Sequence, residues 1–299
     1  MSGPIDTDTT RLPLDECFYS LKGGELAFFQ EQTGIKDEGE LKKHIIAVQE
    51  KAYEIHGYRC IRRFGFTQFK ISRLPAYQNV LRLGRERPGG ILLDIGCCFG
   101  NDIRKAVADG WPVNGVIASD LHKGFWDLGH ELFRTTPTTF PVPFVPGDAF
   151  DPAHIAPREP FYQRPEIPHR PLDELTSLTP LQGHISAIHA SAFFHLFDES
   201  KQLELARILA TLLSPLPGSL IFGLHGGKPQ KGFRTEVKNN AGSYMFCHSP
   251  ESWRELWDGP VFRKGSVRVD AGLHKVERPD LPAHENAEFF LLWWSVTRM

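Results

Sequence analysis

Apolar positions along the chain change period several times, and each change marks an element. Leu41, Ile45, Ile46, Val48, Ala52 and Ile55 fall close to helical spacing, which predicts an amphipathic helix over 38–56 with Gly57 just beyond its end. Residues 75–83 predict a second helix, since Pro75 suits a first turn and Gly84 marks a stop. At 91–95 the pattern becomes a short, mostly apolar run, as in a strand covered on both faces, and it breaks at Gly96 and Gly100. Residues 101–108 read as a helix and 113–119 as a second strand. The alternation of strand and helix over 89–139 predicts a parallel sheet with right-handed crossovers. Residues 141–151 supply a third strand and a loop, 184–190 a fourth strand and 219–224 a fifth. A helix over 198–213 carries Leu205, Ile208, Leu209 and Leu212 on one face, with Asp198 as its cap. Ser249 and Pro250 open another, which runs to Trp257 and stops at Gly259. Strands over 266–270 and 288–296 close the chain, the last too uniformly apolar for a sheet edge.

The stretch 89–102 is where chemistry is expected. Glycines at 96 and 100 remove side chains that would keep a ligand off the backbone, and the following helix start offers free N–H groups to an anion. The spacing Gly-Cys-Cys-Phe-Gly places Cys98 where a dinucleotide fingerprint has a second glycine, and no Lys-Ser/Thr pair follows as in a P-loop. Asp94 ends the first strand and Asp120 the second, so two carboxylates flank this turn.

Composition narrows the picture. A chain of 299 residues with 41% hydrophobic residues suits one large domain, or a domain with an appended lid. A net charge of −2 gives no reason to expect nucleic acid. Five cysteines, without C-x-x-C spacing, suggest neither a disulfide framework nor a zinc site, and no metal is expected. Residues 1–13, rich in Thr, Asp and Pro, read as loose. Lacking a leader pattern or a run long enough to span a bilayer, the chain is expected in the cytoplasm, and a homodimer is compatible with it. The proline-rich residues 152–183 show no periodicity and are assigned to the acceptor region as an insertion.

A strand ending Asp-x-Gly-x-x-x-Gly at 94–100, with Asp120 one βαβ step later, resembles motif I of the class I S-adenosylmethionine-dependent methyltransferases. Three segments sharpen the likeness: Ile-Arg-Arg-Phe at 61–64, Ser-Arg-Leu-Pro-Ala-Tyr at 72–77, and Leu-Leu-Asp-Ile-Gly-Cys-Cys-Phe-Gly-Asn-Asp-Ile-Arg at 92–104. Together they resemble the fungal methyltransferases of meroterpenoid biosynthesis, over residues from about 15 onward. The resemblance implies an α/β, Rossmann-like class I fold: a mostly parallel seven-stranded sheet whose antiparallel last strand lies between the fifth and sixth. An N-terminal helical lid over 1–85 would cover a catalytic domain over 86–299. It implies S-adenosyl-L-methionine as cofactor, held by Asp94, Gly96, Cys97, Cys98, Gly100, Asp120, Leu121, Asp148, Ala149, Phe150 and Ser191. Asp120 would take the ribose hydroxyls; Asp148 with Ala149 or Phe150 would meet the adenine. Acceptor candidates are Tyr19, Tyr53, Arg62 and Tyr77 in the lid, with Tyr58 and Arg63 beside them, and Phe193 and Phe194 after the fourth strand.

For the reaction, His195 is the first choice of the thirteen histidines, with His189 and His225 as substitutes. An alternative for His195 is plain packing between Phe194 and Phe197. The expected acceptor is a small hydrophobic natural product. A carboxylate acceptor arrives ionised and needs orienting, whereas a phenol, with a pKa of about 10, needs a base. Two other readings stay open: a cyclase or isomerase that binds the cofactor without transferring its methyl, and a silent methyltransferase-like binding protein.

Overall fold

The structure is a computed structural model and describes residues 12–238, 244–278 and 288–299; most of the 1–13 segment lies outside them. Three helices come first: α1 (Gly23–Thr33), α2 (Glu38–Ile55) and the single turn α3 (Arg59–Arg62). α2 starts where the pattern places it because the Asp37 carboxylate accepts the Glu40 N–H at 2.9 Å, and it buries Leu41, Ile45, Val48 and Ala52. α4 (Tyr77–Glu86) runs through Gly84 rather than stopping there. A Cβ on Gly84 would stand 2.6 Å from the buried Trp111 ring, so this glycine serves close approach, not termination.

The sheet begins with β1 (Leu92–Ile95), followed by α5 (Asn101–Ala108), β2 (Val116–Asp120), α6 (Lys123–Leu132), β3 (Phe144–Pro146) and β4 (Ala187–His189). α7 (Glu199–Leu212), capped by Asp198, leads to β5 (Leu220–Gly227). A separate ribbon, β6 (Gly232–Lys238) with β7 (Tyr244–Cys247), precedes α8 (Pro250–Trp257), β8 (Val267–Val276) and β9 (Phe289–Arg298). The seven-stranded sheet has the order β3-β2-β1-β4-β5-β9-β8; β1 to β5 are parallel and β9 is antiparallel to both neighbours. The uniformly apolar last strand therefore lies inside the sheet, as its pattern predicts.

α4 packs Tyr77, Val80 and Leu81 onto Leu92, Ala187 and Leu220, so it belongs to the helical layer on the sheet although the sequence boundary assigns it to the lid. α1, α2 and α3 form a second core with Phe99 of the glycine loop and Phe125, Leu132 and Phe133 at α6. Two segments go beyond what the pattern shows. β5 extends beyond the predicted 219–224 through His225, Gly226 and Gly227, which pair with Leu292, Leu291 and Phe290. The 152–183 segment packs Ile155, Leu172, Leu178 and Leu181 under the sheet, and Arg298 at its far end donates to Phe161 O. It stands where a crossover helix would stand.

Gly84→Ala should destabilise the chain by about 1–3 kcal/mol through overpacking on Trp111, where an unhindered helical glycine would gain up to about 1 kcal/mol. Urea unfolding of the two forms decides between these signs.

Candidate active site at the carboxyl ends of the parallel strands

Strand order reverses between β1 and β4, so their carboxyl ends open a crevice between crossovers that leave in opposite directions. Asp94 and His189 are partners across these strands. His189 Nδ1 lies 2.8 Å from Asp94 Oδ1, and its Nε2 lies 2.7 Å from Ser191 Oγ. A carboxylate only accepts, so Nδ1 donates to Asp94; in the neutral ring the Ser191 hydroxyl then donates to Nε2. Burial pushes the Asp94 carboxyl up from its ordinary range, and the His189 contact pulls it back. The other carboxylate oxygen, Asp94 Oδ2, is buried and has no hydrogen-bond partner.

The loop after β1 holds Gly96, Cys98 and Gly100 at φ of 70°, 51° and 69°. For Cys98 this left-handed conformation costs about 1–2 kcal/mol. Against that, its N–H donates to Asp120 Oδ2 at 2.9 Å, and hydrogen bonds to charged groups contribute about 1.5–3 kcal/mol. The second Asp120 oxygen accepts the His122 N–H at 3.0 Å, so one carboxylate ties the loop to the end of β2 and each oxygen keeps a further lone pair. A Cβ on Gly96 would stand 3.3 Å from the Phe193 ring, and one on Gly100 2.6 Å from Trp126. Burial pushes the Cys97 and Cys98 thiols up, so neither is a thiolate, and both are free of disulfides.

Gly147 N–H donates to Asp120 O at 3.1 Å and brings the end of β3 alongside, with Asp148 exposed, Ala149 buried and Phe150 half-buried. Leu121, 57% exposed, stands next to Asp120. Tyr58 reaches over from the lid between Phe125 and His56, with ring centroids 6.0 and 4.1 Å away. Burial and then the Asp120 charge push its hydroxyl up. Lys70 went unread because its segment has no periodicity. Its N–H and that of Ile71 donate to Asp102 Oδ1 in the first turn of α5, at 2.8 and 2.9 Å.

The structure scatters the other lid candidates. The Tyr53 hydroxyl donates to Leu12 O and Arg62 Nε to Pro13 O, both at 2.8 Å, while Tyr19 meets Phe64 edge-on at 5.3 Å. These brace the N-terminal segment. Arg63 caps α3 and is half-buried. Tyr77 donates to Asp109 Oδ2 at 2.7 Å, at the end of α5 remote from the glycine loop.

The three histidines separate as clearly. His225 is buried against Trp253, with Trp294 Nε1–H donating to its Nδ1 at 3.0 Å, and Phe194 is buried in the same aromatic core. His189 has both ring nitrogens engaged. His195 is half-buried and lines a cavity of about 550 Å³ with Phe197, Lys201, Phe233, Tyr244 and Met245. Its Nδ1 accepts the Gly226 N–H at 3.1 Å. Burial, then the charges of Arg234, Arg278 and Lys70, push His195 down to about 4. A larger concavity of about 930 Å³ lies along α4 and the start of β5, away from the loop.

Fold and crevice together have the architecture of the class I S-adenosylmethionine-dependent methyltransferases. The same architecture is seen in Burkholderia thailandensis 1,6-didemethyltoxoflavin-N1-methyltransferase, solved with bound 1,6-didemethyltoxoflavin and S-adenosylhomocysteine (TM-score 0.50, 15% identity, 86% of this chain and 90% of that one). The profile of the meroterpenoid methyltransferase N-terminal domain matches residues 17–67. The Asnovolin E/Chermesin D methyltransferase nvfJ of Aspergillus novofumigatus is 30% identical over 233 residues, 78% of this chain and 72% of nvfJ. The chain belongs to this family of fungal meroterpenoid methyltransferases. The O-methyltransferase phiE of Fungal sp. (strain ATCC 74256) is 32% identical over 222 residues, 74% of this chain, and the matched region spans 66% of phiE. In the O-methyltransferase atr3 of Stereocaulon alpinum, 29% identical, it spans 56%.

Among the described residues no helix is long and apolar enough to cross a membrane, and no cluster of three or more His, Cys, Asp or Glu could hold a metal.

His195 and His248 are both pushed down to about 4 by burial, and His225 lies well below its ordinary value. These three imidazoles then bind more protons in the unfolded chain than in the folded one between pH about 6.5 and 4. Stability should be full above pH 6.5 and fall steadily as the pH drops toward 4. Urea midpoints across that window that stay level would contradict neutral, buried imidazoles.

Proposed function

We propose that the chain transfers a methyl group from S-adenosyl-L-methionine to a carboxylate oxygen of a small hydrophobic acid of terpenoid or polyketide type, in secondary metabolism. The residues present fit that cofactor. Asp94 Oδ2, buried and unpartnered, suits a cationic or N–H group. The free lone pairs of Asp120 suit ribose hydroxyls, and the bare backbone at Gly96 leaves room beside Phe193. Asp148, Ala149 and Phe150 would flank an adenine, with Leu121 at the edge. The bound group supplies an activated methyl on a sulfonium.

The chain's own part is alignment, which can lower such a barrier by about 7–11 kcal/mol. One observation carries the choice of acceptor: the Gly226 N–H occupies Nδ1 of His195. Neutral His195 therefore keeps its proton on Nε2, where it donates and does not accept. A donor orients an acceptor that arrives already ionised, as carboxylic acids do near neutral pH. It serves a phenol poorly, since the phenolic proton would have nowhere to go.

Mass spectrometry of the product made with donor labelled in its methyl group should show the label in an ester, and an unlabelled product would point to cyclisation or isomerisation. Calorimetry should detect S-adenosylhomocysteine; no binding would indicate a silent fold. His195→Ala should lower turnover about ten- to hundred-fold, a loss of roughly 1.4–2.7 kcal/mol, and leave S-adenosylhomocysteine affinity within two-fold. Turnover should be flat from pH 6 to 9, because His195 is neutral throughout. A rise following a group near 6.5 would argue for a base instead.

A further inference from the structure

The β6–β7 ribbon stands outside the main sheet, between β5 and α8. Gly226 lets it close over the end of β5, since a Cβ there would lie 2.8 Å from Met245 Sδ and 3.9 Å from His195 Cβ. Phe233 and Tyr244 of the ribbon are 52% and 41% exposed, and Leu196, across from them, is 44% exposed. Of the eight large apolar side chains exposed among the described residues, these three surround one cavity. Grouped exposure of this kind marks a binding surface, whereas scattered apolar residues do not. The cavity's 550 Å³ falls within the usual span of small-molecule sites, about 300–1,000 Å³.

Its wall is continuous with the glycine loop. The Phe197 ring is 5.7 Å from Phe193, whose ring faces Gly96, and 4.9 Å from Phe150. Polar groups on the lining favour an anion. His195 presents an N–H, and Lys201 Nζ, which also pairs with Glu204 Oε2 at 2.8 Å, lies 4.4 Å over the Phe150 ring. The one acidic lining residue, Asp198, is turned to its own helix, where Oδ1 accepts the Lys201 N–H at 2.9 Å and the Ser200 hydroxyl at 2.8 Å.

We propose that this cavity, between the β6–β7 ribbon and the 193–201 segment, holds the hydrocarbon body of the acceptor, and that it selects an apolar carboxylate whose charged end meets His195. The ribbon, not the N-terminal helices, then sets acceptor size, through Phe233, Tyr244 and Met245. The assignment rests on the methyl-transfer reading only for which oxygen reacts; the binding claim stands apart from it.

The test uses the full chain and an apolar aromatic anion, 1-anilinonaphthalene-8-sulfonate, followed by fluorescence, with S-adenosylhomocysteine calorimetry alongside. The probe should bind saturably and be displaced by abietate, a tricyclic carboxylate, at least ten-fold more readily than by methyl abietate. Phe233→Ala, and Met245→Trp, which fills the cavity, should each weaken the probe ten-fold or more. Ile167→Ala, an exposed apolar change elsewhere, should leave it unaltered, and S-adenosylhomocysteine affinity should stay within two-fold throughout. Probe binding indifferent to both ribbon variants would overturn the site. Equal displacement by acid and ester would overturn the ligand class. Loss of S-adenosylhomocysteine binding in the unaltered chain would instead sink the methyl-transfer reading and leave the cavity result standing.

Discussion

The pairing of Asp94 with His189 is the constraint around which the crevice is arranged. An uncompensated carboxylate at the centre of a parallel sheet costs several kcal/mol of lost hydration. Here the imidazole of the adjacent strand meets one oxygen, and Ser191 closes the other end of the ring. The arrangement works only in the register that sets Asp94 opposite His189, at the point where strand order reverses. It leaves the second oxygen buried and unpartnered, a desolvated acceptor held ready by the fold. Stability thus tolerates an unsatisfied group at the one place where a cationic ligand would satisfy it.

A second constraint links β5 to His195. Because β5 runs on through Gly227, the Gly226 N–H reaches His195 and fixes which nitrogen of that ring carries the proton. The same extension carries His225 into the aromatic core of Phe194, Trp253 and Trp294, where it is a packing residue with an indole donor. Two histidines from one neighbourhood therefore have separate parts. One opens on the cavity and the other holds the layer beneath it.

Asp120 shows how a single side chain can be both structural and available. By accepting the Cys98 and His122 N–H groups it offsets the strain of a left-handed cysteine and keeps the loop shut against β2. Cys98 departs from the usual glycine at little cost for that reason, and its thiol stays protonated in the packed interior.

Much of the fold was legible in the chain's one-dimensional pattern. The mostly apolar run before Gly96, the alternation after it, the capped helix at Asp198 and the interior character of 289–298 follow from local burial, which periodicity records directly. The family likeness at 92–104 likewise needed only residue identity. Long-range contact decided the rest. Gly84 reads as a stop until Trp111 is seen against it, and Tyr77 reads as a pocket residue until its hydroxyl is found on Asp109. The ribbon strands at 232–238 and 244–247 left no periodic trace, and the roles of His189, His195 and His225 differ only in what faces their ring nitrogens. Sequence by itself determined the strands of the main sheet, the glycine turn and the carboxylates that end β1 and β2. Only the tertiary structure decided which histidine meets a cavity and which of its nitrogens is free, because a side chain's proton and solvent exposure are set by neighbours brought from elsewhere in the chain.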